Sequence, residues 1–322
     1  MSIKQEILRY SRQETISPLD HWFDHTLDQL ISSDVYTDVN GLEDTGKKII
    51  QGLKQYSSKY NISTVAIGMS GGVDSALTAA LFKVAGWQVI GVTMPIHQKQ
   101  EETERGIAAC NALKLEHMHI DLTQQYEDLL SSVKDYDLTI DQSHNAIRRG
   151  NLRVRSRMIT LYNIASMYRG LVASTDNFSE LAAGFWTLHG DVGDLAPIQS
   201  LIKSWEVPKL AELYGVPSDT VFATPTDGLG ISNGDEDQFG FSYLEFDIVL
   251  MKLCQLFRAF ANRQNIETCL DVPEHTKEKV NRILDRIRMS SFKRQNPYNL
   301  PHPTQTNRYP GLESIDTALW SK

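Results

Sequence analysis

The sequence predicts an α/β fold, a doubly wound parallel sheet preceded by a helical extension and followed by a helical part. Two features of the chain carry that expectation. Between Ser63 and Ser174, short β-branched apolar runs alternate with segments of helical spacing, the pattern of a sheet covered by helices on both faces. The runs are nearly continuously hydrophobic, as strands buried on both sides should be.

Taken in order, residues 1–45 read as an appendage. In it Leu19, Trp22, Phe23, Leu27, Leu30 and Ile31 recur at helical spacing, so an amphipathic helix should pack on the core or on a second copy. Gly41 to Lys47 reads as a polar joint, after which Ile49, Leu53 and Tyr56 suggest another helix. Thr64 to Met69 is the first strand, Ala76 to Val84 its helix, and Gln88 to Met94 a second strand stopped by Pro95. A helix from Glu101 to Leu113, a third strand from Glu116 to Ile120, an arginine-rich helix from Asn145 to Tyr168 and a fourth strand from Gly170 to Ser174 complete the alternation. Beyond Pro217 the pattern weakens. Thr224 to Phe241 is rich in Gly and Asp and should be a mobile loop, Ser242–Asn262 and Glu274–Met289 should be helices, and Asn296–Gly311, with Pro297, Pro301, Pro303 and Pro310, should be extended. The expected division is an extension over 1–45, a main unit over 46–297 and a tail over 298–322.

Composition removes several classes of function. The 322 residues are 41% hydrophobic and 22% charged, with a net charge of -8 and no long basic run, so a nucleic-acid partner is not expected. No apolar stretch is long enough to cross a membrane, and the polar start, Met1 to Ser17, is unlike a secretory signal. Cys110, Cys254 and Cys269 stand far apart, which fits reduced thiols of a cytoplasmic protein rather than a zinc or disulfide framework.

The chemistry concentrates in Ser70-Gly71-Gly72-Val73-Asp74-Ser75, between the first strand and its helix. Gly71 and Gly72 permit a tight turn that brings backbone N–H groups against phosphate oxygens, and the helix start behind them adds donors and partial positive charge. Ser70 and Ser75 add hydroxyl donors. Asp74 would repel phosphate unless a cation lies between them, so its presence predicts Mg²⁺. The GxxxxGK[ST] pattern, whose lysine serves a transferring phosphate, is missing; this loop suits a departing pyrophosphate.

This SGGxDS loop resembles that of the ATP-pyrophosphatase group, and three further segments are similar to ammonia-dependent NAD synthetases. Gly150 to Met158 matches a GNxxARxRM helix. Ser174 to Glu180, Gly184 to Thr187 and Gly190 to Asp194 follow a GTDHAAE, GFFT and GDGGAD order, and Phe292 to Gln295 follows an HKRQ-like stretch. The resemblance spans about residues 48–297 and implies an adenine-nucleotide α-hydrolase-like sheet. It implies ATP as co-substrate, held by Gly68, Met69, Ser70, Gly71, Gly72, Val73, Asp74, Ser75, Met94, Thr175, Lys203 and Thr226, with Mg²⁺ on Asp74 and Glu180. It further implies a pyridine-nucleotide site at Asn151, Arg155, Arg157, Asp194, Phe292 and Lys293, and a homodimer. Arg155 and Arg157, two apart on a helix, should diverge to different partners. The expected reaction adenylates the carboxylate of deamido-NAD and lets ammonia displace AMP, with Asp74 and Lys203 on the phosphates and Asp191 helping ammonium lose its proton. The chain before Ser70 is short for a glutaminase domain and starts with no cysteine nucleophile, so ammonia is expected free or from another protein. Leu188–Gly193 and Thr226–Gln238 are the natural lids over the adenylate.

The match departs on the pyridine side alone. Leu188 stands in place of a lysine, Phe292 in place of a histidine, and Asp191 to Asp194 is one residue short. Two alternatives follow, amidation of nicotinic acid mononucleotide by the same chemistry and a non-catalytic nucleotide-binding homologue. A sulfur-transferring, RNA-binding relative is disfavoured by the scattered cysteines and the negative net charge.

Overall fold

The computed structural model describes residues 1–12, 18–134, 142–224, 236, 239–259 and 266–294. Four strands, β1 (Thr64–Gly68), β2 (Gln88–Thr93), β3 (Glu116–His119) and β4 (Leu171–Val172), form a parallel sheet in the order β3-β2-β1-β4. In register, Ile67 lies beside Gly91 of β2, and Ala66 lies beside Ile90 of β2 and Val172 of β4. The β-branched composition of β1 suits a strand with both faces covered. Val65 and Ile67 face one hydrophobic cluster, which includes Leu77 and Leu81 of α4 (Val73–Val84). Ala66 faces the other, with Met158 and Leu161 of α7 (Gln142–Met167). β3, Glu-His-Met-His, is only half-buried because it forms an edge of the sheet.

The chain steps from β1 to β2 to β3 across α4 and α5 (Gln100–Ala112), then returns to lay β4 on the free side of β1. That reversal opens a crevice beyond the carboxyl ends of β1 and β4, where open α/β sheets bind ligands.

Around this sheet, α1 (Ile3–Tyr10), α2 (His21–Ser32) and α3 (Val39–Tyr60) form the start of the chain. Phe23, Leu27 and Leu30 are fully buried and join the same cluster as Val65 and Ile67, so the extension packs on the core. The expected joint at Gly41–Lys47 is instead the first part of α3. Asp38 caps that helix by accepting from Gly41 N at 2.8 Å, and Leu42 and Gly46 are buried, Gly46 under the Tyr214 ring. Polar composition there marks the solvated face of an amphipathic helix. Among the described residues, five shorter helices escaped the sequence pattern: α1, α6 (Thr123–Ser131), α8 (Phe178–Ala183), α9 (Glu206–Leu213) and α10 (Ser218–Val221). Each is shorter than the window of about 11 residues over which a helical apolar period can be recognised. α11 (Tyr243–Ala259) and α12 (Glu274–Met289) occupy the expected segments. Most of Thr224–Phe241 and all of Asn296–Gly311 lie outside the described residues.

Candidate active site

The loop after β1 is shaped by its glycines. Gly71 has φ +88°, and a Cβ on it would meet the Glu102 carbonyl oxygen at 2.1 Å, so only glycine fits. Ser70 Oγ accepts from Gly72 N at 3.2 Å and Ser75 Oγ donates to the Gly72 carbonyl at 2.9 Å, which holds the turn against the start of α4. Asp74, in the first turn of α4, projects into the crevice between β1 and β4.

From β4 the chain runs through Thr175 and Asp176 into α8, where Asn177 is the N-cap. Its side-chain oxygen accepts from Glu180 N at 2.9 Å, and Glu180 Oε2 accepts from Asn177 N at 3.3 Å, a reciprocal capping box. The Asn177 amide also donates to Asp74 Oδ1 at 2.8 Å. One buried residue therefore orients both acids. Their other oxygens, Asp74 Oδ2 and Glu180 Oε1, converge on Lys203 Nζ, the latter at 3.2 Å. Lys203 is placed from beneath: its N–H donates to Ser179 Oγ at 2.9 Å, Ser179 Oγ donates to Asp247 Oδ1 at 2.5 Å, and Ser204 N donates to Asp247 Oδ2 at 2.9 Å. Burial pushes the Asp247 carboxyl up to about 6, although the serine contacts pull the other way.

Asp74, Glu180 and Lys203 line a cavity of about 600 Å³. Gly68, Met69, Ser70, Gly72, Val73, Asp74, Ser75, Met94, Thr175, Glu180 and Lys203 all face it, and the structure thus brings together nearly all of the expected ATP-side residues. Gly71 does not line it, being pressed against Glu102, and Thr226 lies outside the described residues.

The other half of the cavity divides the expected pyridine-side residues. Asn151, Arg157 and Lys293 line it. Asn151 Oδ1 accepts from Thr187 Oγ1 at 2.9 Å, and Arg157 donates to the Met94 carbonyl at 3.0 Å and to Gln98 Oε1 at 3.1 Å. Burial, with Arg153 beside it, lowers Arg157 to about 10. Arg155 diverges as expected and donates to the Leu188 carbonyl at 3.1 Å. Lys293 Nζ donates to the carbonyls of Gly184 and Trp186 at 2.7 and 2.5 Å, and burial holds its pKa below the usual lysine range. Asp194 sits apart, accepting from Val172 N at 2.8 Å and Tyr162 Oη at 3.0 Å, and Phe292 is 63% exposed. Neither lines the cavity.

Asp191 and Asp176 stand between the halves. Burial raises the Asp191 carboxyl, against the pull of the Thr187 N–H and of Arg157 and Lys293. Asp176 is pushed well above the usual carboxylate range by burial and by Asp191, Glu180 and Asp74, and its Oδ2 is buried without a hydrogen-bond partner. Sequence reasoning missed Asp176, Asn177 and Asp247. The first two lay inside a segment already singled out, whereas nothing in the sequence connects Asp247 to Lys203.

The donor chemistry suits a hard divalent ion. Two carboxylate oxygens already meet at one positive charge, the Lys203 ammonium. No group of three or more His, Cys, Asp or Glu side chains suited to a metal occurs among the described residues. Mg²⁺ commonly takes only one or two carboxylates and completes its shell with water and substrate phosphate, so such a pair is sufficient.

A parallel sheet whose switch point holds a glycine turn and an acid pair defines a nucleotide-binding α/β protein of the phosphate-gripping kind. The chain belongs to the NAD synthase family, whose model matches residues 45–297. It is 35% identical over 259 residues to the NH(3)-dependent NAD(+) synthetase of Mycoplasmopsis pulmonis, covering 80% of this chain and 96% of that one. It is 31% identical over 260 residues to the protein of the same name from Methanocaldococcus jannaschii, covering 80% and 96%. Among solved structures it resembles NMN synthetase from Francisella tularensis, with a TM-score of 0.65, 26% identity and coverage of 82% and 99%. The NH3-dependent NAD synthetase of Campylobacter jejuni shares the fold, with a TM-score of 0.61, 24% identity and coverage of 81% and 99%.

Proposed function

We propose that this chain is a C–N ligase that converts deamido-NAD to NAD with ATP and ammonia, through an acyl-adenylate. The observation that carries this reading is the meeting of Asp74, Glu180 and Lys203 beyond the ends of β1 and β4, beside the glycine turn. The names of the relatives at 31–35% identity support the same substrate and nitrogen source.

A carboxylate resists amines because it is negatively charged and has no good leaving group. Its attack on the α-phosphorus of ATP forms the acyl–oxygen–phosphorus bond and expels pyrophosphate; ammonia then adds to the acyl carbon and AMP leaves. Asp74 and Glu180 would hold Mg²⁺, which when bound neutralises phosphate charge. Lys203 and the N–H groups of the Ser70–Ser75 turn stabilise charge developing on the leaving pyrophosphate. Arg157 and Lys293 present positive charge to the acid, and Asn151 orients Thr187 at the rim of its half of the cavity. Arg155 and Asp194 shape the adjoining loop from outside it. Asp191, with a raised carboxyl and a place on the cavity wall, accepts a proton from ammonium, and Asp176 faces the same space.

A second reading, amidation of nicotinic acid mononucleotide, is favoured by two points: Leu188 stands where the family resemblance places a lysine, and the Francisella protein of similar structure is an NMN synthetase. A non-catalytic role would leave the convergence of three charged groups without a use. No described helix is long and apolar enough to cross a membrane, and the free thiols of Cys110, Cys254 and Cys269 fit a reducing cytoplasm. The exposed Ile159 and Met167 on α7 fit a homodimer face.

Incubation with ATP, Mg²⁺, ammonium and either acid, followed by mass analysis, should show NAD from the dinucleotide and less amide from the mononucleotide. Product from the mononucleotide alone would transfer the conclusion to the second reading. Absence of both products would end it.

A further inference from the structure

The family match begins at residue 45, yet the chain before it grips the strip from Lys203 to Thr224, both ends of which line the cavity. α9 within that strip packs on α3 and α4, and the extension meets it with charged and aromatic groups. The contacts run along the strip in order. The Thr37 carbonyl accepts from Trp205 Nε1 at 2.8 Å, two residues after Lys203. Lys209 pairs with Glu6 at 2.9 Å, and Tyr10 Oη donates to Glu212 Oε2 at 2.5 Å. The Tyr10 ring stacks on Phe222 at 5.5 Å and 6°, with the Arg9 guanidinium 5.3 Å from the centre of the Phe222 ring. Finally Arg12 Nη1 donates to Thr224 Oγ1 at 2.5 Å.

We propose that the N-terminal extension is a positioning element of the ATP half of the site, and that Arg12 fixes Thr224 at the cavity wall. The reason is mechanical. Lys203 and Thr224 stand on a strip that contributes no strand to the sheet, so backbone pairing does not set their separation. Near Lys203 the serine–Asp247 contacts hold the strip from within. Toward Thr224 the packing of α10 on α4 and α5 is supplemented from outside by Glu6, Arg9, Tyr10 and Arg12. Burial, with Glu245, raises the Glu236 carboxyl, and the Tyr243 N–H, Arg12 and Lys203 pull it back down.

The inference rests on ATP occupying this cavity, and the test separates the two. In the full-length chain, Arg12→Ala should raise KM for ATP about tenfold, the scale of one charge-assisted hydrogen bond. It should leave kcat, KM for the pyridine acid and Tm unchanged, and Arg12→Lys should restore part of the loss. In a Thr224→Val background the Arg12→Ala effect should be smaller, because the hydrogen bond that the two residues share is already lost. An unchanged KM for ATP in Arg12→Ala, or a uniform fall in every parameter together with Tm, would overturn the role of the extension. If the wild-type chain makes no amide, calorimetric titration with ATP and Mg²⁺ decides instead. Weaker binding by Arg12→Ala supports the extension although the proposed reaction has failed, whereas equal binding, or no binding by wild type, overturns it.

Discussion

Asn177 holds Asp74: its side-chain amide donates to Asp74 Oδ1 at 2.8 Å, while its oxygen caps the helix that begins two residues before Glu180. Two acids from separate strand ends are thereby set to face one cation. The pairing rests on a neutral residue whose side-chain NH2 donates while its oxygen accepts.

Asn177→Ser should separate those duties. Serine still caps α8, so stability changes little. The donor to Asp74 is lost, and partners that orient ligands in this way typically matter about tenfold to a hundredfold in activity or metal affinity. Pyrophosphate release titrated against Mg²⁺ should show a higher Mg²⁺ requirement. Wild-type titration behaviour would mean that Asp74 is held by other contacts.

Lys203→Met should leave two carboxylates facing each other in a mostly buried site. Adenylation should be lost, and stability without divalent ions should fall by about 3 kcal/mol, as when one partner of a buried pair is removed. Added Mg²⁺ should then raise Tm more in this variant than in wild type, because the ion supplies the missing charge. Equal thermal responses of the two proteins would argue against Mg²⁺ between Asp74 and Glu180.

Glu206 offers a pH signature. Burial first, and then Asp247, raise its carboxyl from 4.5 to about 7, against the hydrogen bond from Ile202 N. Because the folded-state value is the higher one, the unfolded chain loses its proton first as pH rises. The destabilisation therefore grows between pH 4.5 and about 7 and is complete above that. Relative to Glu206→Gln, wild type should lose about 3 kcal/mol across this window in urea unfolding. Parallel stability curves would contradict a buried, titrating Glu206.

Cys110 is fully buried on α5, and burial pushes its thiol up to about 12. Iodoacetamide at neutral pH should leave it unmodified in the folded protein and label it after denaturation, as read by peptide mass. Rapid labelling of the native chain would show that α5 opens readily.

The residues that meet in the cavity were largely legible in the sequence. Asp74 was readable because an acid beside a phosphate-gripping turn is unreasonable without a cation, and Glu180 through the family resemblance of its segment, with which its place after the fourth strand agrees. The extension was legible as a helix through Phe23, Leu27 and Leu30, whose burial agrees with their spacing. Polar Gly41–Lys47 misled, since composition alone does not distinguish a joint from the wet side of a helix. Arg157 and Lys293 reach the cavity as expected, whereas Asp194 and Phe292 turn away from its wall, a difference of side-chain direction that motif order does not encode.

By itself the sequence determined the alternation of strands and helices, the glycine turn and the acids that follow the strand ends, because backbone sterics and hydrophobic period act over a few residues. Only the tertiary structure decided that Asn177 joins Asp74 to Glu180, that Asp247 sits beneath Lys203, and that Arg12 reaches Thr224. Apart from the Asn177–Glu180 cap, those contacts join residues from 24 to 212 positions apart. Which polar partner a side chain meets at such separations is settled by how helices and strands pack, and local sequence carries no record of it.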